Sequence, residues 1–214
     1  MKKLFTLIAA LLMLSASAAE LTVFDGTVVN DKVPINATFI DWGPYTHQVI
    51  YPAAQVADLV GKEITSVKYY VANDEGSTLN NGMVSLYIGT TESNDFSGWT
   101  VSYVSEELLT KVATITTVTG VSEIEFIFDN AWTYNGGNIV IETLIEEDSN
   151  GSVAGSTATE FLGQTVTKAS AYGQNTVTAA DFAPKTTFTY EGGGEEPGIT
   201  TLFCLAFCFV CRWL

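Results

Sequence analysis

Side chains able to do proton or metal chemistry are scarce in this sequence, and their spacing is loose. His47 is the one imidazole in 214 residues. A Ser–His–Asp hydrolase would have to be built on it, yet no G-x-S-x-G elbow occurs anywhere in the chain. A solitary His beside Tyr45 at a strand start reads as a core or surface residue rather than a general base. Carboxylate pairs are the second possibility, since a glycosidase needs two that converge roughly 5–10 Å apart around a cleft. Glu123 and Glu125 share a strand face, and Glu142 joins them if the Gly-Gly turn at 136–137 makes a hairpin of the flanking strands. The E-x-D-x-x-E pattern of jelly-roll glucanases is absent. An outward charged face is also the ordinary way an antiparallel sheet meets water.

Among ions, calcium is the one this sequence could hold. Glu146, Asp148 and Asn150 place oxygen ligands at alternating positions before Gly151, partly like a D-x-D-x-N-G loop. The first ligand is Glu rather than Asp, Thr157 stands where the twelfth-position Glu belongs, and an acidic hairpin loop explains the same letters. Zinc lacks His and Cys ligands, and no other cofactor is indicated. Cys204, Cys208 and Cys211 have the C-x3-C-x2-C spacing of a radical-enzyme iron–sulfur cluster. Only three residues follow the last of them in a chain that reads as exported, so they are read as small hydrophobes on one helix face.

Aromatic rings remain as binding candidates. Trp42, Tyr45 and Tyr51 fall within ten residues, Trp99 and Tyr103 share a strand face, and Trp132 and Tyr134 precede the Gly-Gly turn. Trp42, Tyr45, Trp99, Trp132 and Tyr134 are the candidate ligand-binding residues, because Trp and Tyr rings in end loops can stack on sugar faces while their polar ends meet hydroxyls. Trp42 leads, since the turn-rich stretch Asp41-Trp-Gly-Pro-Tyr45 offers a large ring little to pack on.

The elements that must position these residues follow from composition and period. With 24 acidic against 9 basic side chains the formal charge is −15, and loss of Lys2 and Lys3 with a leader makes it more negative. Such a chain is repelled by nucleic acid and by anionic membrane surfaces. An apolar content of 47% excludes a disordered chain.

Residues 1–19 have the order of a secretory signal peptide: two lysines, an apolar run, then Ser15-Ala-Ser-Ala-Ala19, with cleavage expected after Ala18 or Ala19. The run is too short for a spanning helix, so no transmembrane span is expected and the product is extracellular or on the cell surface. Residues 191–198, Glu-Gly-Gly-Gly-Glu-Glu-Pro-Gly, form a flexible acidic linker. Residues 199–214 switch abruptly to an apolar tail, roughly 20 Å long as a helix against a hydrocarbon core of roughly 30 Å. That tail is read as an accidental or truncated end, with downstream modules missing.

Between 20 and 190 the period is mostly two, which predicts an all-β, two-sheet antiparallel β-sandwich of jelly-roll type. Ile124, Phe126 and Phe128 alternate with Glu123 and Glu125, and Ile139, Ile141 and Ile145 lie opposite Glu142 and Glu146. Further strand-like runs cover Val33–Asp41, His47–Tyr51, Ile64–Val71, Met83–Gly89, Trp99–Val104, Lys111–Thr119 and Lys185–Tyr190, separated by Gly-, Asn- and Asp-rich turns. Pro52–Gly61 predicts one short helix, opened by Pro and closed by Gly.

Three stretches, VIYPAAQVADLVGKEITSVKYYV (49–71), WTYNGGNIVIE (132–142) and FAPKTTFTYEGG (182–193), resemble a β-sandwich module of secreted Bacteroidetes-type modular surface proteins, which often precedes fibronectin-type repeats. The resemblance covers nearly all of 20–190 and its motifs are structural. It implies an extracellular, non-catalytic module of a cell-surface protein, used for adhesion or for binding a glycan or protein ligand. The alternatives are a structural spacer or assembly subunit joined by strand addition, and a jelly-roll glycosidase.

Overall fold

The structure is a computed structural model in which residues 18–35, 45–72, 77–80, 83–98, 101–116, 118–146, 155–156, 160–174 and 176–191 are described. Residues 20–190 form one compact unit, while a second grouping of 1–19 with 191–214 lies almost wholly outside the described residues. The signal-peptide, linker and tail expectations fall there too, except that strand β1 begins at Ala18.

The chain is all β, as its period requires. One sheet has four strands in the order β1 (Ala18–Val23), β16 (Thr186–Glu191), β4 (Glu63–Tyr70) and β9 (Glu123–Thr133). A second has six, in the order β14 (Thr178–Ala180), β13 (Ser170–Gly173), β3 (Tyr45–Tyr51), β10 (Asn138–Glu146), β6 (Met83–Thr91) and β7 (Leu109–Ile115). Two small three-stranded sheets complete it: β11 (Gly155–Ser156), β5 (Ser77–Asn80) and β8 (Val118–Val121) in one, β15 (Ala183–Pro184), β12 (Phe161–Gln164) and β2 (Val28–Asn30) in the other.

The strand faces follow the sequence parity. In β9 exposed and buried residues alternate from Glu123 to Phe128, and Ile124, Phe126 and Phe128 enter the main core. There they join Tyr69 and Val67 of β4, Val49 and Tyr51 of β3, Leu86 and Ile88 of β6, and Ile139, Ile141 and Ile145 of β10. Apolar area removed from water between the layers is the main stabilising term.

Three expectations change. Pro52–Gly61 forms no α-helix: the backbone bonds within it, such as Gln55 N–H to Pro52 O and Leu59 N–H to Val56 O, span three residues, and only Ala57–Leu59 makes a 3₁₀ turn. Ten residues are too few to sustain an α-helix by themselves, and packing decides, since Val56 and Leu59 are fully buried. Gly61 keeps its expected role, with φ at +76°. The Gly-Gly turn is not a hairpin. Strand β9 pairs with β4, whereas β10 pairs with β3 and β6, so residues 134–137 carry the chain from one sheet to the other. Finally, residues 101–104 of the expected Trp99–Val104 strand form no strand, nor do residues 33–35 of Val33–Asp41.

The sheet-to-sheet corner explains its own motif. Tyr134 is fully buried, and its hydroxyl donates to the Gly137 carbonyl. Gly136 and Gly137 take φ of +105° and +95°, where a side chain would be strained. Asn138 then brackets the neighbouring loops: its Oδ1 accepts from Ala53 N–H at 2.9 Å, and its Nδ2 donates to Ser93 O at 2.9 Å.

Candidate functional site

The six-stranded sheet is covered on both faces. Its outer face carries a second apolar cluster of Ile50, Phe96, Val140 and Ala171, flanked by half-buried Tyr103, Val104 and Leu109. The cover is the β6–β7 connection, residues 92–108, which opens with the polar run Glu92-Ser-Asn-Asp and ends in a 3₁₀ turn at Glu106–Leu108. Connections this long are uncommon unless they carry function.

Three anchors hold the cover. Phe96 is buried and its N–H donates to Lys168 O at 2.9 Å. The Tyr103 hydroxyl lies between two strand carbonyls, Thr46 O at 2.8 Å and Gly173 O at 2.9 Å. Val104 is held by the Gln48 side chain, whose Oε1 accepts from Val104 N–H at 2.7 Å while its Nε2 donates to Val104 O at 3.0 Å. The same Nε2 donates to Glu142 Oε2 at 2.7 Å. A Cβ on Gly89 would overlap the Leu108 carbonyl, so glycine on β6 lets the 3₁₀ turn settle against the sheet.

Glu142 is the consequence. Parity places it on the outer face, as expected, but it is only 4% exposed because the cover closes over it. Burial pushes its carboxyl above the usual glutamate range, and Glu106 adds to the rise against the opposing pull of Gln48. Tyr87 lies opposite Glu142 in the register and is pushed up by burial and by Glu146, Glu142 and Glu106.

Between the cover and the sheet end opens a cavity of about 260 Å³. Its polar wall is Thr91, Ser93, Asp95, Ser97, Ser102 and Ser105; Tyr103, Val104, Phe96 and Leu108 complete it. Asp95 Oδ1 accepts from Ser97 N–H at 2.7 Å and from the Ser97 hydroxyl. Those two donors, the hydroxyl first, with a smaller pull from the Lys168 charge, hold the Asp95 carboxyl below the usual aspartate range, so it is ionised at neutral pH. Such a wall offers many groups that both give and accept hydrogen bonds, one fixed anion, and ring or aliphatic surface.

The carboxylates weighed for catalysis are not brought together. Glu123 pairs with Lys68 at 3.4 Å and Glu125 accepts from Ser66 at 2.7 Å on the four-stranded sheet. Glu142 belongs to the other sheet because the corner separates β9 from β10. His47 is 1% exposed, with Nδ1 3.4 Å from Thr143 O, and burial lowers its pKa to about 3. It is a neutral core imidazole.

Of the aromatic candidates, Trp42 and Trp99 lie outside the described residues. Tyr45 is half-buried against His47 and Tyr172, with ring centroids 5.1 and 6.5 Å away. Trp132 is half-buried and stacks on Tyr134 at 6.0 Å. Tyr134 is a correction: its ring is core, so it cannot stack on a ligand. Of the calcium candidates, Asp148 and Asn150 lie outside the described residues, and Glu146 accepts from Ser85 at 2.6 Å with Lys111 at 3.6 Å. No group of three metal-ligating side chains occurs among the described residues. Asp95, Gln48 and the serines were not singled out from the sequence; the density of Ser, Asn and Asp over 92–105 was the signal available.

No family model and no curated protein matches the chain. A solved structure similar to it is that of the cysteine protease and lectin-like domains of Cwp84, a surface layer associated protein of Clostridium difficile, with 11% identity and a TM-score of 0.43. The match covers 70% of this chain and 32% of that one.

Proposed function

We propose that the protein is a non-catalytic, extracellular β-sandwich module of a cell-surface protein, binding a small polar ligand in the cleft lined by Thr91 and the described residues of the β6–β7 connection. The observation that carries this is the rigid cover. Phe96 is fixed to Lys168 ahead of β13, Tyr103 to β3 and β13, and Val104 to β3, which supports a lining preorganised before any ligand arrives. Export is supported by the leader-like order of residues 1–19. Residence in a modular surface protein is supported by the motif resemblance and the Gly/Glu linker.

A spacer or assembly subunit joined by strand addition is the rival. Two of the four edges of its large sheets are poorly suited to pairing. Strand β9 is irregular between its partners Ile64 and Ser66, and β7 shifts register opposite Leu86 and Tyr87. Both end their sheets, and bulged, charged edges resist another strand.

The test is a mixed array of glycans and extracellular proteins probed with the full chain and with Ser102→Trp, which fills the cleft from an exposed position. A saturable signal lost in the variant is expected. A signal that the variant leaves intact, or none at all from folded protein, would overturn the assignment of binding to this cleft.

A further inference from the structure

We propose that the cleft takes a single uncharged sugar ring, the terminal residue of a neutral glycan; this deepens the binding-module reading and rests on it. The lining carries the argument. Thr91, Ser93, Ser97, Ser102 and Ser105 line it from the long β6–β7 connection and the strand end before it; Ser97 donates to Asp95, while the Thr91 and Ser105 hydroxyls accept from Ser93 N–H and Glu107 N–H and keep their own protons to donate. A hydroxyl both donates and accepts, so the ligand that satisfies several at once is one that offers several hydroxyls of its own. An extended peptide alternates backbone groups with side chains, and the cleft has no series of side-chain pockets to receive it.

Asp95 refines the class. Both Ser97 donors use Oδ1, and Oδ2 takes no hydrogen bond among the described residues. A fixed carboxylate accepting from neighbouring hydroxyls forms the stronger, charge-assisted kind of bond. The ring also needs an apolar strip for its C–H face. Tyr103 supplies one, because its hydroxyl is spent on Thr46 and Gly173, and Leu108 stands 54% exposed at the rim.

Size and charge exclude the neighbouring classes. A volume of about 260 Å³ is below the range of roughly 300–1,000 Å³ that holds larger ligands, so one ring enters and the rest of a glycan stays outside. The described lining includes an aspartate and no basic residue, on a chain of formal charge −15, although the Lys168 charge acts on Asp95 from beside the cleft and partly offsets it. Sialic acids, uronic acids, and sulfated or phosphorylated sugars would be repelled.

The experiment is a titration of the full ¹⁵N-labelled chain with methyl glycosides of neutral hexoses and N-acetylhexosamines, and with the corresponding uronates. The amide shifts of Ser97 and Val104 are followed in the parent, Asp95→Asn and Ser102→Trp. Expected is saturation by at least one neutral ring with a Kd on the order of 1 mM, about tenfold weaker in Asp95→Asn and absent in Ser102→Trp, whose remaining spectrum stays dispersed. Uronates binding as tightly as neutral rings would overturn the charge argument. No shift with any ring, while a lysine- or arginine-bearing peptide shifts the same amides, would overturn the ligand class and leave the cleft as the site. No shift with rings, peptides or array hits would bring both down.

Discussion

The side-chain amide of Gln48 pairs with the peptide unit of Val104 as if it were one more strand: N–H to Oε1 at 2.7 Å and Nε2–H to O at 3.0 Å. Gln48 is fully buried and sits at the centre of the six-stranded sheet, with β10 and β13 on either side. A single residue of β3 thereby ties a loop 56 positions away to the sheet face. This contact, with those of Tyr103 and Phe96, fastens residues on either side of the cleft to the sheet face and the loop before β13.

Replacing Gln48 with Leu removes both bonds to Val104 and the donor to Glu142. Buried groups left unpaired cost about 1–3 kcal/mol each, so the thermal midpoint should fall by several degrees. Hydrogen exchange at the Val104 amide should rise further than exchange at Ile141 in the core. Equal acceleration at both amides would mean that Gln48 supports the whole fold rather than the cover.

The raised pKa of Glu142 has a sign that can be measured. Between the ordinary glutamate value and its higher value in the fold, the folded chain holds a proton that the unfolded chain has released. The contribution of Glu142 to stability is therefore greatest at low pH and declines as pH rises through that window. Urea unfolding across the window should show this decline in the parent, and Glu142→Gln should remove it. A variant with the parent's slope would assign the proton elsewhere.

His47 acts in the opposite direction. Its pKa falls from 6.5 to about 3 on burial, so below pH 6.5 the unfolded chain takes up a proton that the folded chain refuses. Stability carried by the neutral imidazole is complete above pH 6.5 and is lost as pH falls towards 3. His47→Gln should flatten that acid limb in a denaturation series. An unchanged limb would mean that carboxylates, not this imidazole, drive acid unfolding.

Phe126 and Ile127 are neighbours on β9 with opposite fates: one is fully buried and the other 71% exposed. Phe126→Ala should cost roughly 3–5 kcal/mol. Ile127→Thr, on the outer face, should stay within about 0.5 kcal/mol. Calorimetry on the two proteins checks the sheet's facing directly, and an Ile127 penalty matching that of Phe126 would place a partner on the outer face.

The strands and their inner faces were legible because side-chain direction in a strand is a local property with period two. Ile124, Phe126 and Phe128 declare their face through their neighbours Glu123 and Glu125. Gly61 was legible for a similar reason, since a backbone at positive φ needs glycine wherever the turn sits. The short helix was misread because capping letters say where a helix could begin and end, and not whether ten residues gain enough from it.

Composition and period alone therefore define an acidic, all-β chain and its inward residues. Which strands become partners was a tertiary decision. Asn-Gly-Gly permits either a hairpin or a corner, and only packing of Tyr134 into the core sends β10 to the other sheet. The burial of Glu142 and the cleft beside it were decided the same way. An outward position reads as solvent until a distant segment covers it, and the Gln48–Val104 pairing that fixes this cover joins residues too far apart in the chain for any local pattern to record.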